Sequence, residues 1–302
     1  MTVTAHAPAK VNLTLSVGPL EADGYHGVTT VYHALTLHDT VTAVPALRPT
    51  ITMKSEVAGS VPDGDDNLAM KAVYALADAT GHKPQVALTV IKRIPVAAGL
   101  AGGSADAAAT LVACNELWQT GLTTQQLADV AAALGSDVPF ALFGGTMLGT
   151  GRGDQLAPVL TPGTAAGSLH WVLAVSDDGL STPAVYRKLD ELRGDEPDLA
   201  QAELPRDMLL ALRSGDIEGI AAAMTNDLQD AAIAMRPGLC RTLQTGLEHG
   251  ATAALVSGSG PTCVFLSDSK EQADSLAVAL SAEGVCSRVL RATGPARGAH
   301  LA

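Results

Sequence analysis

Residues 95–109 read PVAAGLAGGSADAAA, and this stretch narrows the possible folds more than any other part of the chain. Gly99, Gly102 and Gly103 stand directly before an alanine-rich run from about Ser104 to Trp118, whose composition predicts a strong helix. Glycines let successive N–H groups turn inward around an anion, and a helix start adds about half a positive charge. The stretch therefore predicts a phosphate-holding loop. It is not a Walker loop, because Gly-x-x-x-x-Gly-Lys-Ser/Thr is absent. The His-Arg-Asp and Asp-Phe-Gly pair of protein kinases is absent too. On loop composition alone, a flexible loop before an N-capped helix accounts for it equally well.

The flanking sequence constrains the fold class. Residues 10–17 alternate and are β-branched, and residues 28–44 read as one or two further strands. A helical pattern over 67–81 ends at Gly81, and strand character returns over 85–94. Thr123 and Gln126 form a capping-box pattern for a helix that Gly135 closes. Residues 144–159 look like paired strands with glycine turns. Beyond 170–175, helices are expected near 183–192, 205–213, 216–229, 238–249 and 269–283. Residues 251–266 predict two strands around a glycine turn, and 285–291 a last strand. The tail ATGPARGAHLA is expected to fray. Strands and helices mix without regular β-α-β alternation, which favours an α+β fold over a doubly wound sheet. LTPGTAAGS at 160–168 is the expected junction between an N-terminal domain, 1–160, and a C-terminal domain, 161–302.

The chain's 302 residues allow one large or two modest domains. A formal charge of −12 disfavours a nonspecific nucleic-acid binder, so no nucleic-acid partner is expected. An anionic ligand must then be held by local donors, not by the overall field. Cys114, Cys240, Cys263 and Cys286 show neither zinc spacing nor a Cys-x-x-Cys pair, and read as reduced thiols. No signal-peptide pattern opens the sequence, and no apolar run reaches the roughly 18 residues of a bilayer span. A cytoplasmic protein that is a monomer or weak homodimer and has no membrane partner is expected.

Three stretches in this order resemble the motifs of the GHMP kinase family, the small-molecule kinases of galactose, homoserine, mevalonate and phosphomevalonate. PAKVNL at 8–13 resembles the N-terminal motif, the glycine loop the second, and LVSGSGPTCVF at 255–265 the C-terminal one. In the second motif Pro95, Gly99, Leu100, Gly102, Gly103 and Ser104 match. Ala101 replaces a usual glycine and Ala105 a frequent second serine. Ala101 is tolerable if that position needs no positive φ. The resemblance runs from about residue 3 to 290. It implies a two-lobed fold with the active site in the cleft between lobes, ATP as phosphate donor, and Mg²⁺ arriving with ATP. It also implies that Pro95 and Gly99–Ser104, Ala101 included, hold the phosphates, with Ser104 near the metal. Asn67 and Lys92 fall where related kinases approach the adenine; without the resemblance, Asn67 reads as an N-cap.

Phosphoryl transfer needs a positioned nucleophile, charge neutralisation and a proton acceptor. Asp137, in LGSDVPFALFGG, reads by itself as a cap of the next short helix, but it matches the family's Gly-x-Asp-Val-Pro element, where the aspartate is the general base. Lys10 supplies the complementary charge, and Asn12 should point to the same side of its strand. DGYHGV at 23–28 places Tyr25 and His26 at the lip of a turn. With Lys-x-Asn-Leu upstream, it resembles the branch of the family whose substrate is a cytidine-diphosphate-linked methylerythritol. The resemblance implies that Tyr25 stacks on the cytosine and that His26 bonds its edge. Tyr186 completes the sandwich and Thr182 lies close by. The competing readings are another GHMP kinase, of homoserine or mevalonate type, and a catalytically silent nucleotide-binding protein. Retention of both Lys10 and Asp137 weighs against the second.

Overall fold

The computed structural model describes residues 1–56, 64–161, 168–194 and 201–302. Most of the expected junction at 160–168 lies outside the described residues.

The chain opens with a long hairpin, β1 (Val3–Leu20) and β2 (His26–Pro45), joined by the turn that carries Tyr25. β1 extends well beyond the 10–17 run that alternation predicts, while β2 is a single strand that matches the expected 28–44 to within two residues. Residues 7–15 of β1 are buried without a break, which hides the period-2 signal. Next come β3 (Thr50–Ser55), α1 (Leu68–Thr80) and β4 (Val86–Lys92). They are followed by α2 (Gly102–Trp118), α3 (Thr124–Ala131), α4 (Asp137–Phe143), β5 (Thr146–Thr150) and β6 (Gln155–Pro158). The second half holds β7 (Leu169–Val175), α5 (Thr182–Arg193), α6 (Arg206–Ser214), α7 (Ile217–Ala223), β8 (Thr225–Asn226) and α8 (Gln229–Met235). It ends with α9 (Gly238–Glu248), β9 (Ala253–Val256), β10 (Cys263–Ser267), α10 (Lys270–Glu283), β11 (Arg288–Gly294) and β12 (His300–Leu301).

Among the described residues the strands build two sheets. One runs β12-β1-β2-β4-β3, with β5 and then β6 continuing from β2 and β8 added to β1; the other runs β11-β7-β10-β9. Helix α2 packs on β1 and β2 as the central rod of the first layer. Its alanines, with Leu111 and Cys114, are buried on almost every side. Small side chains let the helix approach the sheet closely, so a core with few aromatics still closes.

Four expectations are corrected. Helix α2 starts at Gly102, not Ser104, because the loop has completed its turn at Gly99 and Ala101, both with positive φ. The expected 216–229 helix is broken into α7, β8 and α8. Thr225 and Asn226 leave the helix to pair in parallel with Thr14 and Leu15, and Asn226 Nδ2 donates to Val256 O and Gly258 O. The tail does not fray: Ala5 and His6 pair with Leu301 and His300, and Ala299 N donates to Ala141 O of α4. The helix opened by Thr123 also stops at Ala131, short of Gly135, although its capping box forms as expected.

Candidate active site

A cavity of about 560 Å³ opens where β1, α2, α4 and α5 converge with the Ser257–Gly260 loop. Lys10 and Asn12 lie on its floor. Consecutive inward positions of a strand are two residues apart, so both side chains leave β1 on the same side. Lys10 Nζ donates to Asn12 Oδ1 at 2.7 Å, and Asn12 Nδ2 donates to Thr30 Oγ1 at 2.8 Å. Thr30 Oγ1 donates onward to Thr14 O at 2.6 Å, so the amide is oriented by a buried chain of donors.

Asp137 opens α4, where its charge suits the helix N-terminus. It does not act as the helix cap; that position is Ser136. Its carboxylate stands 3.7 Å from Lys10 Nζ, too far for a direct hydrogen bond and close enough for an oxygen atom to join the two. Tyr32, which the motifs do not mark, walls the same corner. It is buried, its ring stacks on Phe140 at 4.9 Å, and Lys10 Nζ lies 5.7 Å from its centroid. Burial, and then the neighbouring Asp137 carboxylate, hold its phenol well above the usual tyrosine range, so it stays a neutral donor beside that carboxylate. Gly149 and Gly153 make room for it: a Cβ at either would fall within 2.7 Å of Tyr32 atoms.

The glycine loop forms the opposite wall. Pro95, Gly99, Ala101, Gly102 and Gly103 line the cavity; Leu100 is buried beneath it, and Ser104 sits in the first turn of α2 without lining it. No side chain caps α2, so its first N–H groups remain for a ligand. The expectation for Ala101 is overturned in one respect. Its φ is +58°, the left-handed region in which a glycine would be unstrained. Gly99 is required by contact: a Cβ there would lie 2.1 Å from Ser257 O. Ser257 Oγ donates to Gly99 O, so the second and third motifs touch.

Lys92 is corrected. Its Nζ donates to Asp39 Oδ2, to Asp106 Oδ2 at 2.7 Å and to Gly102 O at 3.1 Å. An ammonium has three N–H groups. All are used by the protein, so Lys92 fixes the start of α2 and does not donate to a base. Burial works against its charge, but Asp106 and Asp39 outweigh burial and raise its pKa. Burial pushes the Asp106 carboxyl up to about 8 against the opposing pull of Lys92. Asp106 Oδ1 lines up with no protein partner, an orphaned acceptor at the cavity wall. Asn67 lines the cavity and also caps α1, accepting from Ala69 N at 2.8 Å.

At the far end Thr182 and Tyr186 line the cavity, with Thr182 Oγ1 2.8 Å from Ser259 Oγ. Tyr25 and His26 are not part of its lining. His26 lies behind Tyr186, with ring centroids 5.3 Å apart. Its Nδ1–H donates to Gly18 O at 2.9 Å and Nε2 faces Asp190 Oδ1 at 3.3 Å. A ligand bonding this ring must displace Asp190. Tyr25 is 57% exposed, and the Arg152 guanidinium lies 4.0 Å from its ring centroid. Arg152, Asp39, Asp106, Asp190 and Tyr32 are the residues that motif reading misses. Asp106 alone carries a local signal, a carboxylate inside an alanine run.

Comparison with known proteins gives consistent results. The family model for the GHMP kinases N terminal domain matches residues 67–145, and that for GHMP kinases C terminal matches 208–286. The chain is 52% identical to the 4-diphosphocytidyl-2-C-methyl-D-erythritol kinase of Salinispora tropica, over 99% of this chain and 94% of that protein. Its structure resembles a crystal structure of 4-(cytidine 5'-diphospho)-2C-methyl-D-erythritol kinase with a TM-score of 0.76 and 30% identity, covering 97% of this chain and 98% of that one. A homoserine kinase from Cytophaga hutchinsonii shares the fold with a TM-score of 0.77 but only 18% identity, covering 100% and 97% of the two chains.

Proposed function

The chain belongs to the GHMP kinase family, and within that family we infer that it is a 4-diphosphocytidyl-2-C-methyl-D-erythritol kinase. It transfers the γ-phosphoryl group of ATP to the 2-hydroxyl of the cytidylated methylerythritol, giving the 2-phosphate and ADP, a step of the non-mevalonate isoprenoid pathway. The observation that carries this reading is 52% identity over almost the whole of a relative bearing that name. The homoserine-kinase likeness speaks for the fold alone.

The geometry supports a mechanism with few covalent demands. The uncapped start of α2 and the glycine loop hold the triphosphate through N–H groups and the helix dipole. The substrate hydroxyl enters the gap between Asp137 and Lys10. Asp137 takes its proton as the oxygen attacks phosphorus, and Lys10 stabilises the developing alkoxide. Asn12 and Tyr32 keep the pair in register. Among the described residues no cluster of three or more His, Cys, Asp or Glu could cage a metal. Mg²⁺ is expected here as a companion of ATP, its charge offsetting that of the phosphates. The orphaned Asp106 Oδ1 at the cavity wall would be the side-chain group to meet it, and the Ser104 hydroxyl, in the first turn of the same helix, would have to turn toward the cavity to join. At the other end the cytosine stacks on Tyr186 and Tyr25. Its edge reaches His26 in place of Asp190, with Thr182 alongside. Asn67 borders the adenine. No helix of the described residues is long and apolar enough to cross a membrane. A cytoplasmic place of work belongs to this reading as the setting of a soluble biosynthetic substrate.

An assay with ATP and, in turn, the cytidylated methylerythritol, homoserine, mevalonate and galactose tests the reading. Turnover is expected only with the first. Turnover only with a non-cytidylated alcohol overturns the substrate, and nucleotide binding without turnover on any of them favours a silent binding protein. Asp137→Ala should leave ATP binding nearly intact while turnover drops by about 10²-fold or more. Near-normal turnover in that variant removes Asp137 from the mechanism.

A further inference from the structure

The cationic side chains lining the cavity, among the described residues, are Lys10, Lys92 and Arg152. A substrate joined through a diphosphate must find positive charge in a chain of net charge −12. Lys92 is fully engaged by two aspartates and a carbonyl. Lys10 faces Asn12 and Asp137, where the reacting hydroxyl enters. Arg152 is left. It stands at the tip of the β5–β6 hairpin between Gly151 and Gly153, both with positive φ, and the tip is fastened to β2 because Val28 N donates to Gly151 O at 2.7 Å. Its guanidinium covers the Tyr25 ring at 4.0 Å, and Nη2 donates to Asp23 Oδ2 at 2.5 Å. The cavity wall at this end is thus Arg152 and not Tyr25. Stacking fixes the plane of the guanidinium, and Asp23 engages one edge of it. The other edge keeps N–H groups in the fork that matches two phosphate oxygens.

We propose that Arg152 is a specificity-determining residue that receives the diphosphate of the cytidylated substrate. Asp23 aims it in the empty site and yields to the phosphates when substrate arrives. The inference rests on the substrate reading above, and it explains how an acidic chain distinguishes a cytidine diphosphate from a bare cytidine. Calorimetric titration of the full chain with cytidine, cytidine 5'-diphosphate and ATP tests it. The wild type should bind the diphosphate more tightly than cytidine. Arg152→Ala should cut that preference by about 10-fold or more while ATP affinity holds, because a charge-assisted, forked contact is lost. Asp23→Asn keeps the acceptor for Tyr25 N, seen at 3.0 Å, but removes the competing charge. Its affinity for the diphosphate should hold or rise. An unchanged preference in Arg152→Ala overturns the proposal. Equal weakening in Asp23→Asn and Arg152→Ala also does, since Arg152 is then only a tether for the turn. A wild type that binds neither cytidine compound sinks the substrate reading itself, and this proposal with it.

Discussion

Lys10 and His33 are buried polar residues on neighbouring strands, and their surroundings give them opposite tasks. Lys10 keeps acceptors on the cavity side. His33 is enclosed: Nδ1 meets Thr146 Oγ1 at 2.9 Å, and a Cβ at Gly294 would fall 2.3 Å from Nε2. Burial lowers its pKa from 6.5 to about 4. Between those values the unfolded chain binds the proton and the native chain does not, so stability is lost as pH falls from 6.5 towards 4. The gap amounts to about 3 kcal/mol at most. Thermal melts from pH 7 to pH 4.5 should therefore show a shallower decline for His33→Gln than for wild type, whatever its starting Tm; parallel curves would show that His33 does not carry the acid sensitivity. At the substrate end, His26→Ala should raise the KM for the cytidylated substrate far more than the KM for ATP. Equal rises would move this turn to the other pocket or to the fold alone. Lys10, Asn12 and Asp137 were legible as residues because their motifs are short and contiguous. Tyr32 was not, since a tyrosine on a buried strand reads as core until the pleat is seen to aim it at Asp137.

Two glycine-containing loops set the site at the level of elements. Gly99 and Ser257 belong to different motifs, yet they pack backbone against backbone. Gly99→Ala would place a methyl group on Ser257 O at a φ of +76°. The loops must separate, and a loss of about 2 kcal/mol or more in denaturant unfolding is expected, with a higher KM for ATP. Retained stability and unchanged KM would mean the contact opens freely. The reverse change, Ala101→Gly, relaxes a left-handed alanine and should be neutral or stabilising by up to about 1 kcal/mol, because glycine's added freedom in the unfolded chain offsets part of the relief. The alanine helix, the capping box and the Ser257–Gly260 turn were readable because each is fixed by neighbours within a few residues. The break between α7 and α8 was not. It depends on Asn226 binding Val256 O and Gly258 O, about 30 residues away in the chain.

Over the whole molecule, the end of the chain returns to its beginning. Beyond β11, Ala296 O accepts from Gly145 N, Ala299 N donates to Ala141 O, and Ala302 N donates to Thr4 O, so the tail backs both α4 and β1. Deleting residues 295–302 should lower Tm by about 5 °C or more. Turnover should fall as well, because α4 carries Asp137. A truncated chain with unchanged Tm and turnover would show the tail to be idle. The sequence by itself determined the α+β class and the order of the three motifs, because these follow from local backbone preference and from residues a few positions apart; it singled out the glycine loop, Lys10, Asn12 and Asp137 only through the family resemblance, since alone the loop reads equally as a flexible turn and Asp137 as a cap. Only the tertiary structure decided which charges stay available. Lys92 is consumed by Asp39, 53 positions away, and Arg152 is tied to Asp23, 129 positions away. Ion pairing falls steeply with distance in space and is indifferent to distance along the chain, so how each cavity cation among the described residues is engaged emerges only once the fold has brought its partners together.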